Sequence, residues 1–496
     1  MEIIEQAKSK VNRVKRDDDS SLASSPDSAR KRRKKITSPS PTSSPLPASV
    51  LHSRNPLPLS PRRSPSTPKP HKPLPTFYTP NSGGMGRRRS QSAPLPLLPT
   101  TLDPLPPWPS HPLLYPEFST HCKDLIPLPS FYLPKIYSLL SPTPTDGVTE
   151  SQFETFAKTN LIWSLDEIYY NLTKSPSSPH LLPSSFRPIL TSLLSHHPGL
   201  TFLSSHTDFQ QKYIDTVIAR IFYECDEEGL GYLTRRMCRK GKVWEAFEEV
   251  GREEDINKVL RFFSYEHFYV LYCRFWELDL NRDYKITKPD LLKYGDHSLS
   301  NLIVERIFTH ARRFNGIINP DEMCYEDFIF FMLSEENKQS PVSVKYWFDI
   351  LDVDGDGVLN LKDMKSFYNV QSHRMQCLGH EVVPFEDVLC QMYDLIKPKS
   401  EVGVVVEDFL QPECDKVSGA LFDALFNLNK YLQFESRDPF LERTKREDEF
   451  DNDWDRYACV DYNRLAMEEE QREDDRNQME IEWEGGEGDN NMNIGE

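Results

Sequence analysis

Apolar residues recur at helical spacing along most of the chain from about residue 150 to residue 438, in runs separated by polar connections that carry Pro, Gly or Asp. Val344, Phe348 and Leu351 fall at i, i+4 and i+7 behind Ser340 and Pro341, which form a helix start. Met364 and Phe367 resume the stripe beyond a polar gap, and Leu271, Phe275 and Leu278 repeat the same face upstream. Further helices are predicted over 153–157, 161–172, 186–194, 209–223, 303–311, 325–333, 385–396 and 420–432. The pattern predicts an all-α protein whose core draws on Phe263, Phe268, Trp276, Phe328, Phe330, Phe331, Trp347 and Phe348. One stretch breaks it: IPLPSFYLPK, from Ile126, sets Phe131 and Tyr132 between prolines in a segment expected to be extended, either in the groove of another surface or as a strap on its own domain.

The polar gaps carry the chemistry. Residues 352–363 read DVDGDGVLNLKD. Asp352, Asp354 and Asp356 place carboxylates at positions 1, 3 and 5 of a twelve-residue loop, and Gly357 at position 6 supplies the turn that folds them around one hard cation. Val358 offers its carbonyl at position 7, Asn360 stands at position 9 and Asp363 at position 12, one methylene shorter than the Glu the motif expects. A second loop, DLNRDYKITKPD, puts Asp279, Asn281, Asp283, Lys285 (through its carbonyl), Thr287 and Asp290 at the same positions, but Tyr284 replaces the position-6 Gly at a cost of roughly 1–2 kcal/mol. Between them, 316–327 has the register without the ligands. Loop starts at 279, 316 and 352, intervals of 37 and 36 residues, indicate an internal repeat. A degenerate member lies at 226–237, with Gly231 and Leu233 at positions 6 and 8, and a fainter one near Gly403. Empty loops beside filled ones describe an architecture that calcium stiffens, with magnesium as competitor, rather than a freely saturating sensor or a calcium buffer.

Composition restricts the folded part. With 40 prolines and a mean hydropathy of −0.58, much of the 496-residue chain is not expected to pack. Residues 1–115 are Ser-, Pro- and Arg-rich and are expected to be disordered, and 446–496 form an acidic tail expected to be mostly disordered or an intermittently helical solvated segment. Between them the segmentation runs 116–260, a helical part with the degenerate hand; 261–335, the first loop and its ligand-free partner; and 336–445, the second loop and following helices. Within the first tail, Lys31–Lys35 (KRRKK) resembles a nuclear-import cluster. Ser38, Ser40, Ser44, Ser60, Ser64, Thr67 and Thr79 precede proline, and Ser90 follows three arginines, so these are candidate phosphorylation sites. The net charge of −17 argues against nucleic acid as the main partner. Nine scattered cysteines without a CxxC pair suggest reduced thiols, and the absence of a signal-peptide core or membrane-length apolar run suggests a soluble protein of the cytoplasm or nucleus.

At Phe262–Asp283, FFSYEHFYVLYCRFWELDLNRD, the chain closely resembles the B-double-prime regulatory subunits of protein phosphatase 2A. The resemblance continues through YGDHSLSNLIVERIF, CYEDFIFFMLSEENK, VKYWFDILDVDGDG and PFEDVLCQMYDLIKP, extends upstream to HPGLTFL and VIARIFY and downstream to DPFLERTKRED, and covers about Ile126 to Arg446. It implies an elongated array of EF-hand-like helix-loop-helix units and a targeting subunit. Such a subunit docks on a HEAT-repeat scaffold and presents phosphoprotein substrates to a separate catalytic subunit, with both matching loops as calcium sites that influence assembly. Asp363 departs from the family's Glu, and the N-terminal tail matches no family pattern. The GDxHG, GDxVDRG and GNHE signatures of a metallophosphatase are missing, YGDHSL being only a superficial likeness, so the chain is expected to be a regulator rather than an enzyme. The alternative is a calcium-regulated helical adaptor, cytoskeletal for example, that joins no phosphatase.

Overall fold

In a computed structural model of the chain, residues 108–486 are described except 124, 142, 144–145, 162, 401, 412–413, 415–417 and 437–449, with backbone alone for 473–486. Lys31–Lys35, the Ser-Pro and Thr-Pro sites, Ser90 and the segment DPFLERTKRED lie outside the described residues.

Helices occupy the predicted stripes, among them Thr207–Cys225, Tyr265–Leu278, Asn301–His310, Tyr325–Glu336, Pro341–Leu351, Leu361–Cys377 and Phe385–Ile396. Their starts are chemical. The Ser340 side chain accepts the Ser343 N–H at 3.1 Å and Ser300 accepts that of Ile303 at 3.3 Å, each satisfying an amide that the first helical turn leaves without a partner. The stripe predicted over 420–432 divides into Ser418–Phe426 and Leu428–Glu435. Asn427 makes the break, its Oδ1 accepting the Lys430 N–H at 3.1 Å while its Nδ2 donates to Glu335 at 2.6 Å.

Strands among the described residues are four two-residue pieces that join loops in pairs. Ile286 pairs with Met323 and Leu359 with Val404, antiparallel in both cases. Each of these residues is position 8 of its loop. The same antiparallel bridge joins Leu181 to Leu233, and another joins Leu113 to Val148. The loop beginning at 316 is therefore the partner of the one at 279, the faint loop around Gly403 is the partner of the one at 352, and 226–237 pairs with an unpredicted loop over 174–185. Pairing satisfies the exposed amides and carbonyls of two loops at once and buries their apolar side chains; Leu181, Leu233, Ile286, Met323 and Leu359 are all fully buried. Of the aromatic residues expected in the core, Trp276 alone is only half-buried.

Three expectations need correction. Phe131 and Tyr132 sit not in an extended strap but in a helical turn, Ser130–Tyr132, that runs into the helix Leu133–Leu140. Both are buried in their own domain, Phe131 against Phe247 at 6.2 Å and Tyr132 against Tyr169 at 5.2 Å. Pro134 does not prevent this, because a proline in the first helical turn removes only an N–H that has no acceptor there. Packing also begins earlier than residue 115, since Trp108 stacks on Phe153 at 5.3 Å and Leu113 pairs with Val148. Finally, the acidic tail contains the helix Asp453–Gly486, whose first part lies against Tyr265–Leu278. Trp454, Ala458, Tyr462 and Leu465 form a buried stripe at i, i+4, i+8 and i+11, which the surrounding Glu and Asp hide in a compositional reading. Arg274 donates to both oxygens of Asp461, at 2.8 and 2.5 Å, and Tyr269 donates to Glu469 at 2.7 Å.

Candidate metal centres

The loop 352–363 is framed by the helices Pro341–Leu351 and Leu361–Cys377. Its course is set by Gly355 and Gly357, at φ of 72° and 79°, a region in which a side chain collides with the backbone. These two turns aim the amides of Gly355 and Gly357 at the carboxylate of Asp352, at 2.9 and 2.8 Å, while the Asp356 carboxylate accepts the Val358 N–H at 2.8 Å. One carboxylate oxygen from each of Asp352, Asp354 and Asp356 then lies within 4.8 Å of the others. No lysine or arginine is ion-paired with any of the three among the described residues. Three like charges held this close are in want of a cation, and an all-oxygen set fits calcium or magnesium.

Asp363 closes the loop from the exiting helix, where its carboxylate accepts the Asn360 N–H at 3.3 Å, and the Asn360 side chain accepts the N–H groups of Lys362 and Asp363. Burial first, and then the charges of Asp354, Asp352 and Asp356, push the Asp363 carboxyl above its ordinary value, against the Asn360 N–H, which pulls it down. Asp363 thus belongs to the same electrostatic group as the trio. Val358 stands at the position whose carbonyl would complete the set.

The loop 279–290 reproduces this backbone with different residues. Arg282 and Tyr284, at φ of 61° and 63°, take the two left-handed positions held by glycine in the other loop. The Tyr284 N–H reaches the buried Asp279 carboxylate at 2.9 Å, and Asp283 accepts the Lys285 N–H at 2.9 Å. Asn281 Nδ2 donates to Asp283 at 3.0 Å. The closing residue is already engaged: Asp290 pairs with Lys293 at 2.8 Å and accepts the Thr287 N–H at 3.2 Å. Burial raises the Asp290 carboxyl, but Lys293 and Thr287 together hold it below its usual value. This loop brings together Asp279, Asn281 and Asp283, while a cation would have to draw Asp290 away from Lys293.

Of the other loops, 226–237 keeps the backbone and the opening carboxylate but not the closing one, whereas 316–327 has neither the left-handed positions 4 and 6 nor the first three ligands. In 226–237, Gly229 and Gly231 take the left-handed positions and the Gly231 N–H reaches Asp226 at 2.8 Å, but Met237 stands at position 12. In 316–327 the closing carboxylate meets an arginine. Buried Arg313 faces the position-12 carboxylate of Asp327 at 3.6 Å and donates to the carbonyls of Phe308 and Asn319 at 3.2 and 3.5 Å. Its neighbour Arg312 donates to the carbonyls of Tyr223, at 2.9 Å, and Asp226. Neither arginine is visible as functional in the sequence, since both act on residues remote from them or outside the ligand register.

Known proteins share this arrangement. An EF-hand domain model matches residues 166–255, and an EF-hand domain pair model matches 268–369, the segment holding both acidic loops and the ligand-free loop between them. The chain is similar to the probable B''epsilon regulatory subunit of serine/threonine protein phosphatase 2A from Arabidopsis thaliana, 43% identical over 357 residues that make up 71% of this chain and 67% of that protein. It is 42% identical to the human B'' alpha regulatory subunit of serine/threonine-protein phosphatase 2A over 60% of this chain and 26% of that one, and 40% identical to the mouse B'' delta counterpart over 62% of each. Among solved structures, a chain of a diCa PP2A PR70 holoenzyme aligns with a TM-score of 0.50 and 40% identity, covering 54% of this chain and 98% of that chain.

Proposed function

Because this chain belongs to the B'' regulatory subunits of protein phosphatase 2A, we propose that it docks on the HEAT-repeat scaffold subunit and directs a separate catalytic subunit to phosphoprotein substrates, with calcium as the ion of its loops. The observation that carries the reading is the 43% identity over 357 residues, a span that reaches well beyond any single calcium loop. Catalysis is assigned to the partner, as befits a relative of regulatory subunits. Asp352, Asp354, Asp356, Asn360 and Asp363 with the Val358 carbonyl hold the principal ion; Asp279, Asn281, Asp283, Thr287 and Asp290 with the Lys285 carbonyl hold a second, weaker one. Bound calcium supplies the charge that relieves repulsion among these carboxylates. The Asp352 loop then fixes the angle between Pro341–Leu351 and Leu361–Cys377, helices that position the docking surface. With the short Asp363 closing that loop, the affinity falls on the order of 10⁻⁶ to 10⁻⁴ M, and magnesium competes.

We place the protein in the cytoplasm, the nucleus or both, with Lys31–Lys35 as a candidate import cluster and cytoskeletal association as a further expectation; among the described residues no helix is long and apolar enough to cross a membrane. Size-exclusion chromatography of the full chain mixed with scaffold and catalytic subunits, in calcium and in chelator, tests the assignment. A ternary peak that grows with calcium is expected. Its absence under both conditions, from a folded chain, would leave a phosphatase-independent adaptor instead.

A further inference from the structure

The helix Asn301–His310 enters the ligand-free hand, yet its chemistry is directed at the loop of the next pair. Arg306, half-buried on that helix, donates from Nε to the carbonyl of Ile350 at 2.7 Å and from Nη2 to the carbonyl of Asp352 at 2.6 Å. Its third nitrogen, Nη1, lies 3.0 Å from His310 Nε2. The carbonyls that it takes are those at the end of Pro341–Leu351, which has no further turn to satisfy them and whose dipole favours a cation. Asp352 is also the first ligand of the loop. Its carbonyl is therefore held by Arg306 while its carboxylate is held by the amides of Gly355 and Gly357. With both ends tied, Asp352 cannot swing away from Asp354 and Asp356 without breaking bonds to two different hands.

The same arrangement occurs a second time. Arg312, just beyond the end of that helix, takes the carbonyls of Tyr223 and Asp226, and Asp226 is the first residue of the loop in the preceding pair. The hand that holds no ion thus grips the opening residue of a loop on either side of it. Because 226–237 lacks a position-12 carboxylate, only the Arg306 contact meets a loop that can use it.

Resting on the calcium reading above, we propose that Arg306 is a positioning residue for the loop Asp352–Asp363, and that it sets this loop's calcium affinity from outside the ligand set by fixing the backbone of the first ligand. Two effects of opposite sign are at work. A guanidinium near the trio repels an incoming cation, whereas a fixed Asp352 lowers the ordering required on binding. The second prevails, because the charge is delocalised, half-exposed and directed at backbone carbonyls, while residues that orient metal ligands commonly change affinity by about 10–100-fold when replaced.

Isothermal titration of the full chain with calcium, after chelator treatment, separates these effects. The binding component lost in Asp354→Ala identifies the loop, and a wild type without such a component would overturn the calcium reading itself. Given that component, Arg306→Met is expected to weaken it about tenfold, and Arg306→Lys, which keeps the charge but not the two-pronged geometry, is expected to fall between. Unchanged affinity in Arg306→Met, with a melting temperature lowered equally in calcium and in chelator, would reduce Arg306 to a structural role and overturn the proposal. Tighter binding in Arg306→Met would overturn it too, by making repulsion the dominant contribution. Should Arg306→Met fail to fold, Arg306→Lys decides: a several-fold loss supports positioning, and wild-type affinity overturns it.

Discussion

Tyr284 stands in the first acidic loop where Gly357 stands in the second, and both residues donate their N–H to the carboxylate of the loop's opening aspartate, at 2.9 and 2.8 Å. A bulky residue is held left-handed because its ring is anchored, 5.0 Å from Trp276 and 4.8 Å beneath the Lys212 ammonium. Arg282, the other left-handed residue of this loop, is exposed, and its side chain is not held by that cluster.

Arg282→Gly is accordingly expected to stabilise the chain by ~0.5–1 kcal/mol, the relief of left-handed strain less the extra freedom of glycine in the unfolded chain. Removing a positive charge from the loop also favours a cation. Denaturant unfolding in chelator checks the first effect, and a loss of stability would count against it.

Asp352→Ala combined with Asp354→Ala removes two of the three convergent carboxylates. The rise in melting temperature on adding calcium should shrink to whatever the 279–290 loop contributes. A rise as large as that of the wild type would mean that 352–363 binds no calcium.

Lengthening the closing ligand tests the coordination from the other side. Asp363→Glu supplies the bidentate carboxylate that position 12 normally carries, so calcium affinity should increase several-fold over magnesium, which tolerates a bidentate ligand poorly. Competition titrations with the two ions measure this selectivity.

Glu335 is fully buried between Lys338, at 2.5 Å, and Lys430, at 3.1 Å, while Lys338 also reaches Asp423 at 3.0 Å. Lys338→Met leaves buried carboxylates short of a cation and should cost about 3–5 kcal/mol. Burial raises the Glu335 carboxyl, but Lys338 and Lys430 outweigh it and hold the group below its ordinary value. A depressed folded value means that its contribution is complete above the usual glutamate range and is lost as pH falls through the folded value. Acid unfolding of the wild type should therefore show this loss below about pH 4.5, and Lys338→Met, which leaves Lys430 as the cation beside Glu335, should show a smaller one.

Truncation before Asp453 removes Trp454, whose indole N–H reaches His267 at 3.2 Å, and the Asp461 partner of Arg274. Hydrogen exchange over 265–278 should accelerate in the truncated chain. Unchanged protection there would show that the acidic helix adds nothing to the stability of this face.

Much of the protein is decided by near neighbours in the chain, and that much the sequence determined by itself. Ligands on alternate residues, a glycine at position 6, a capping serine and apolar residues at i, i+4 and i+7 all act within a few residues of one another, so the all-helical class and the two acidic loops could be read directly. The pairing of 279–290 with 316–327 could be read the same way, but the partners of 352–363 and 226–237 could not be. Leu359 and Val404 meet across 45 residues, and the Gly403 loop carries Lys397 and Lys399 where the first carboxylates would mark it while retaining the buried apolar position that pairing requires. Composition misled at the C-terminus, where a narrow stripe from Trp454 to Leu465 is outnumbered by charge and becomes an interface only because Arg274 and Tyr269 lie opposite. The roles of Arg306, Arg312 and Arg313 belong wholly to tertiary structure. An arginine is marked as a cap or an internal cation by the carbonyls and carboxylate it meets, and folding alone brings Asp352, Asp226 and Asp327 within its reach.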